Sequence, residues 1–152
     1  MHCHISIQTG CFDLATEEAA LRQHAGDAGA LVAFQGMVRA HDAATPLAAL
    51  FLEHYPGVTE AEIERIASNA AQRWPLTAVR VVHRVGSLAP GEQIVLMLVA
   101  SGHRKAAFAA AEYLMDYLKT EAPFWKREDF VDGSSRWVDA KASDSDAAAS
   151  WG

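Results

Sequence analysis

The sequence predicts a mixed α+β (mixed α/β) domain, and three observations carry that prediction. Apolar residues alternate with period two in several short segments, fall at helical spacing in three others, and some strand-like segments follow one another directly. A strict parallel βαβ fold alternates strand and helix throughout, so it fits poorly. At 152 residues the chain is one domain of ordinary size, able to bury roughly two thirds of its unfolded surface without a disulfide or metal staple.

Residues 4–8 alternate weakly and read as a first strand, and 16–24 as a short helix with acids in its first turn. Ala30, Val32 and Phe34 alternate with Leu31, Ala33 and Gln35, a strand running to about Arg39. The apolar run 47–55 is a further strand, stopped by Pro56-Gly57. Thr59-Glu60-Ala61-Glu62 has the form of a capping box, in which hydroxyl and carboxylate each satisfy a free helix N–H. Ile63, Ile66, Ala67 and Ala70 then share one helical face until Trp74-Pro75. Val79, Val81, His83 and Val85 alternate with Arg80, Val82 and Arg84, as in a half-buried strand.

Ala89-Pro90-Gly91-Glu92 is turn chemistry, and it leads into the continuous apolar run 94–100, the predicted most buried strand. Ser101 is placed to cap a long helix over about 102–119, with Phe108, Ala111, Met115 and Leu118 as its apolar stripe. Pro123 stops that helix and biases Ala122 to an extended conformation. Segments 124–130 and 136–140 are the last two strands. The expected organisation is a single domain over 1–140 and a mobile tail over 141–152, where small and polar residues dominate.

Composition narrows the function. Thirteen Lys plus Arg against nineteen Asp plus Glu give a net charge of −6, which disfavours a nucleic-acid binder. The two cysteines, Cys3 and Cys11, form no disulfide framework and fit a reduced, cytoplasmic compartment. No secretory signal pattern opens the chain, and the run 94–100 is far below the ~20 residues of a membrane span, so no membrane partner is expected. His2-Cys3-His4 is a metal-like scrap with no partner spacing, and His41, His54 and His83 are isolated, His83 reading as a packed core histidine. No metal site, phosphate loop, serine elbow or nucleophilic cysteine is present in the pattern.

Charge is nevertheless concentrated. Between His103 and Arg127 five Lys or Arg stand against three acids, a local +2 that leaves −8 elsewhere. Ser101-Gly102-His103-Arg104 opens a helix, where free N–H groups, the positive dipole end and two side-chain donors suit a phosphate; an ordinary capped helix reads the same way. Lys119 ends that helix and Lys126 follows after the turn at Pro123, so a chain that folds back there brings two ammonium groups together. Such a pair is one way to activate a lysine, and two surface lysines are the plainer reading. Arg104 and Lys119 are roughly 22 Å apart on a continuous helix. Either the helix is broken, or the two serve different sites, or a second copy of the chain completes one site; the last is favoured.

Taken together, Phe34-Gln-Gly-Met-Val-Arg39, Leu52-Glu-His-Tyr-Pro-Gly57, His83-Arg-Val-Gly-Ser-Leu-Ala-Pro-Gly-Glu92, Ser101-Gly-His-Arg104 with Ala107-Phe108, Met115-Asp-Tyr-Leu-Lys119, Ala122-Pro-Phe-Trp-Lys-Arg-Glu128 and Arg136-Trp-Val138 resemble the catalytic (large) subunits of molybdopterin synthase, the MoaE family. The segments occur in order from about residue 28 to 141, and the lysine-bearing Ala-Pro-Phe-Trp-Lys stretch is the most specific. Ala40 departs from the pattern, standing where the family often has an acid.

The resemblance implies an α/β hammerhead-type domain with additional antiparallel strands, a homodimer, and a heterotetramer with two small ubiquitin-like sulfur-carrier subunits. It implies a sulfurtransferase of molybdenum cofactor biosynthesis that needs no cofactor. The substrate is cyclic pyranopterin monophosphate, and sulfur comes from the thiocarboxylate at the carrier's C-terminal Gly-Gly. Two sulfurs build the dithiolene of molybdopterin and the cyclic phosphate opens. By matched position Lys119 and Lys126 are the catalytic pair, Lys119 the principal one. Arg39, His103 and Arg104 hold phosphate and pterin, the backbone at Met37 and Val38 assists, and Arg127 and Glu128 line the pocket wall. Two other readings compete: a non-enzymatic binding module for a ubiquitin-like tail, and a phosphate-ester hydrolase acting without a carrier.

Overall fold

The structure, a computed structural model, describes residues 1–40, 44–138 and 142–152. His41, two residues of the loop over 42–46, and the expected end of the last strand at Ala140 lie outside the described residues, as does Lys141. In chain order the elements are β1 (His2–Gln8), α1 (Leu14–Arg22), β2 (Ala30–Met37), β3 (Leu47–His54), α2 (Val58–Arg73), β4 (Leu76–Arg84), β5 (Gly86–Leu88), β6 (Gln93–Ser101), α3 (Arg104–Glu121), β7 (Phe124–Phe130), β8 (Ser135–Val138) and α4 (Ala142–Ala149). Strands and helices form two four-stranded sheets with helices packed on one of them, the mixed α+β class expected.

The first sheet has the order β1-β4-β6-β2, parallel only between β1 and β4. Its two central strands are covered on both faces. Val79, Val81, Val95, Met97 and Val99 pack with Ile63, Ile66, Ala67, Ala110 and Leu114 of α2 and α3, while Ala78, Val82, Leu96, Leu98 and Ala100 pack with Leu21 of α1 and with Phe12 and Ala25. So β6 is the most buried strand, as the apolar run predicts. The half-buried reading of β4 is corrected: α1 covers its second face, and the arginines there are paired, Arg80 with Glu17 and Arg84 with Glu92, while the carbonyls of Thr9 and Gln93 accept from Arg84. Each such buried aliphatic side chain contributes about 1.5–3 kcal/mol.

The second sheet is antiparallel, with the order β5-β3-β7-β8. β5, three residues long, is too short to leave a period-two signal. Leu52 and Leu88 pack beneath this sheet with Val38 and Leu47.

Several local expectations shift. Ser101 ends β6 and its hydroxyl donates to the Pro75 carbonyl at 2.9 Å, so it does not cap α3; the N-cap is His103, with no side-chain bond. The capping carboxylate of α2 is Glu60, which accepts from the Gly57 N–H, because the helix begins two residues earlier than the Thr59 reading requires. Thr59 lies inside the first turn, fully buried. Phe108 is 64% exposed and does not belong to the buried stripe, which runs through Ala107, Ala110, Ala111, Leu114, Met115 and Leu118 instead. His2-Cys3-His4 lies within β1, paired to β4, and His2 stacks on His24 at 3.8 Å.

Residues 142–149, read as part of a tail, form a helix against α3. The physical reason is Trp151. Its ring meets Trp74 and Tyr113 edge-on at 5.6 Å, its indole N–H donates to Asp116 at 2.7 Å, and the Arg73 guanidinium lies over it while bonding its carbonyl.

Candidate active site

The site grows out of the end of the first sheet where β6 begins. α3 runs alongside β2, with Phe108, Ala111 and Met115 facing Val32, Ala33 and Phe34, so its C-terminal end with Lys119 returns to that same end. There a register row crosses the sheet from His83 through Val95 to Gly36. At the strand spacing of about 4.8 Å, Gly36 and the following Met37 lie roughly 10 Å from His83.

α3 stops at Glu121, and Ala122 takes the extended conformation (φ −70°, ψ 127°) that a following proline demands. The turn is tied down by Thr59, whose hydroxyl accepts from the Tyr55 N–H and donates to the Pro123 carbonyl, both at 2.9 Å. The chain then enters β7, and Phe124 lays its ring on His83 at 4.0 Å with 19° between the planes. Alternation puts Lys126 on the same face of the sheet as Phe124.

His83 is 4% exposed. Its Nδ1 lies 2.8 Å from the Arg84 carbonyl oxygen, which can only accept, so Nδ1 carries the proton. Burial lowers its pKa to about 4. The Arg84 bond opposes the shift, and the charges of Lys126, Lys119 and His54 add to it. The charges of two lysines from different elements thus act on one neutral imidazole. Lys119 is exposed and Lys126 half-buried.

The other expected residues divide. Arg39 is exposed just beyond β2, on the same end of the sheet, and Met37 beside it is 59% exposed. Val38 is buried, and its backbone is occupied: its N–H donates to Glu92 and its carbonyl accepts from Gly91. Val38 therefore anchors the base of Arg39, with its own N–H already engaged. Glu128 shares the face of Lys126 and accepts from Arg136 at 2.6 Å. Arg127 points to the opposite face, where it lies over Phe51 at 4.6 Å and bonds Asp129 at 2.7 Å. Strand alternation removes it from the pocket wall expected of it.

His103 and Arg104 are exposed at the far end of α3. The helix is unbroken over Arg104–Glu121, so they stand roughly 22 Å from Lys119 and one chain does not unite them. The broken-helix alternative is excluded.

A groove of about 430 Å³ lies between β2 and α3, lined by Phe34, Phe108, Met115 and the carboxylates of Glu112 and Asp116 among others. Among the described residues no group of three or more His, Cys, Asp or Glu is placed to hold a metal, and no helix is long and apolar enough to cross a membrane. His83, Phe124 and Thr59 were not singled out as site residues. The histidine among valines of β4 also fits a plain core residue, Phe124 lies in the Ala122-Pro-Phe-Trp-Lys126 stretch, and Thr59 reads as a helix cap.

Fold and site together define a two-sheet α+β protein with one lysine on either side of the turn from α3 into β7, a cationic setting suited to an anionic group. The family described as "MoaE protein" matches residues 7–121. "Molybdopterin synthase catalytic subunit" of Mesorhizobium japonicum is 55% identical over 148 residues, 97% of this chain and 92% of that protein. The solved "Molybdopterin biosynthesis MoaE protein" of Burkholderia ambifaria superposes with a TM-score of 0.84 at 51% identity, covering 99% of this chain and 98% of that one. The Helicobacter pylori "Protein-protein complex of subunit 1 and 2 of Molybdopterin-converting factor" shares the fold, with a TM-score of 0.71 at 22% identity over 91% of this chain and 90% of that one. The chain belongs to the MoaE family.

Proposed function

We infer that this MoaE-family chain, as a molybdopterin synthase catalytic subunit, moves sulfur from the C-terminal thiocarboxylate of a small ubiquitin-like carrier to cyclic pyranopterin monophosphate, forming the dithiolene of molybdopterin. The observation that carries the reading is the placement of Lys119 at the end of α3 and of Lys126 on β7 just beyond the turn at Pro123, with the charges of both acting on His83. Carrier tail and substrate are both anionic, and charge grows as sulfur attacks, so fixed cations at the reacting atoms stabilise the transition state more than the ground state. Lys119 has the principal role, activating substrate or moving a proton, and Lys126 faces the carrier tail with it. Arg39, at the same end of the sheet, takes the phosphate.

His103 and Arg104 join this site from a second copy of the chain. Two features support a homodimer: the unbroken α3 that separates Arg104 from Lys119, and the exposed apolar side chains Phe34, Met37 and Phe108 along edge strand β2 and α3. Two carriers then complete a heterotetramer, working in the cytoplasm where thiocarboxylates and free thiols persist.

The test mixes the purified protein with thiocarboxylated carrier and cyclic pyranopterin monophosphate, and follows dithiolene product as its fluorescent oxidation derivative. Product that disappears with Lys119→Ala, while carrier binding persists, supports the enzyme and its site. A stable carrier complex with no product favours the non-enzymatic binding module, and turnover without carrier favours a hydrolase.

A further inference from the structure

Gly29 stands just before β2, outside every element and exposed to solvent. It is not among the glycines with positive φ, so its backbone conformation is open to any residue. Neither burial nor backbone strain accounts for the missing side chain. A close approach does. A Cβ at this position would overlap the Gly102 carbonyl oxygen and lie 3.3 Å from its carbon, and among the described residues it would meet nothing else within 4 Å.

The same glycine also holds the preceding carbonyl. Its N–H donates to Ser101 at 3.0 Å, and Ser101 is paired in register with Ala30 of β2 and Leu76 of β4. Ser101 is fully buried and bonded through its hydroxyl to Pro75, so it cannot yield. Gly102 can, since a Cβ there would meet nothing within 4 Å. A side chain at 29 therefore pushes on Gly102, and the displacement passes to the next two residues, His103 and Arg104.

The start of α3 has no device of its own to resist this. In α1 the Asp13 carboxylate accepts from the Thr16 N–H, and in α2 Glu60 accepts from the Gly57 N–H. In α3 the N-cap His103 makes no side-chain bond and the first turn holds no acid. The position of this helix end is set from outside, by the segment that Gly29 touches.

We propose that Gly29 is a positioning residue of the substrate site: its bare backbone, bonded to Ser101 and pressed against Gly102, fixes where α3 begins and so where His103 and Arg104 stand. The proposal rests on the assignment of His103 and Arg104 as substrate-binding residues.

The full synthase carrying Gly29→Ala is assayed with thiocarboxylated carrier and cyclic pyranopterin monophosphate, beside a melting curve. In folded Gly29→Ala, kcat/KM for the pterin is expected to fall about tenfold, with carrier affinity unchanged. Subunit exchange then separates positioning from general damage, because Gly29 acts on His103 and Arg104 of its own chain. Gly29→Ala is expected to regain activity when mixed with Lys119→Ala and to gain none with Arg104→Ala. Wild-type kinetics in folded Gly29→Ala would overturn the proposal. So would a gain with Arg104→Ala, or none with Lys119→Ala, beside an active control mixture of Arg104→Ala with Lys119→Ala.

A control mixture that stays inactive would instead overturn the site shared between copies. Amide hydrogen exchange then decides on Gly29 alone, as it does if Gly29→Ala does not fold. In the wild-type synthase the Gly29 N–H is expected to exchange more slowly once cyclic pyranopterin monophosphate binds, and equal rates with and without it would refute the coupling. Full turnover by Arg104→Ala would overturn the assignment on which the proposal rests.

Discussion

Lys119 stands one helical turn beyond Met115 at the exposed end of α3, and nothing about its own environment makes it essential to the fold. Lys119→Ala is therefore expected to lower kcat by about 10²–10³-fold with unchanged thermal stability and carrier affinity, a range typical of a lost transition-state contact. Single-turnover kinetics and a melting curve on the same preparation check both halves. His83 behaves oppositely, since the fold itself depends on its charge state. The unfolded chain takes up its proton near pH 6.5 and the folded one only near 4, so stability is complete above 6.5 and falls as pH drops from there toward 4. Over that window the loss reaches roughly 3 kcal/mol. Urea unfolding at pH 7 and pH 4.5 is expected to show a smaller difference in His83→Phe than in the wild type.

At the scale of elements, two contacts hold the C-terminal half of α3 and the turn that follows it. Thr59 joins α2 to the turn before β7 with two hydrogen bonds inside a fully buried setting. Thr59→Val preserves shape and removes both, at a cost of roughly 2 kcal/mol. Because Pro123 loses its tether, kcat is also expected to fall, by less than in Lys119→Ala; a urea titration and a steady-state assay measure the two effects. Trp151 fastens α4 through Trp74, Tyr113, Arg73 and Asp116. Trp151→Ala is expected to cost about 1–3 kcal/mol and to expose residues 142–149 to proteolysis, read by limited digestion and mass spectrometry.

For the whole molecule, the 22 Å between Arg104 and Lys119 makes a prediction that no single chain can satisfy. If each site takes His103 and Arg104 from one copy and Lys119 from another, Arg104→Ala and Lys119→Ala are each inactive alone. Mixed and allowed to exchange subunits, they regain activity, since a hybrid dimer carries one site with both residues intact. About one quarter of wild-type activity is expected from equal amounts, because half the dimers are hybrids with one working site each. Activity that stays at the level of the separate variants would show that each chain builds its site alone.

The sequence by itself determined the class of fold and the family. The alternation in 30–39 and the apolar runs 47–55 and 94–100 survive because strands β2, β3 and β6 face different environments on their two sides or are buried on both, and that pattern is local. The ordered motifs from Phe34 to Glu128 carried the lysines and their neighbours for the same reason: each is a short contiguous stretch. Tertiary structure alone decided which of these residues share a site. Arg127 and Glu128 are adjacent in sequence and on opposite faces of β7, while His83 and Phe124 are far apart in sequence and stacked. Phe108 has helical spacing with the core and sits outside it, and Trp151 turns a polar stretch into a packed helix. Spacing along the chain specifies the face of one element, whereas the seam where α3, β4 and β7 converge depends on how separate elements pack, which no local period encodes.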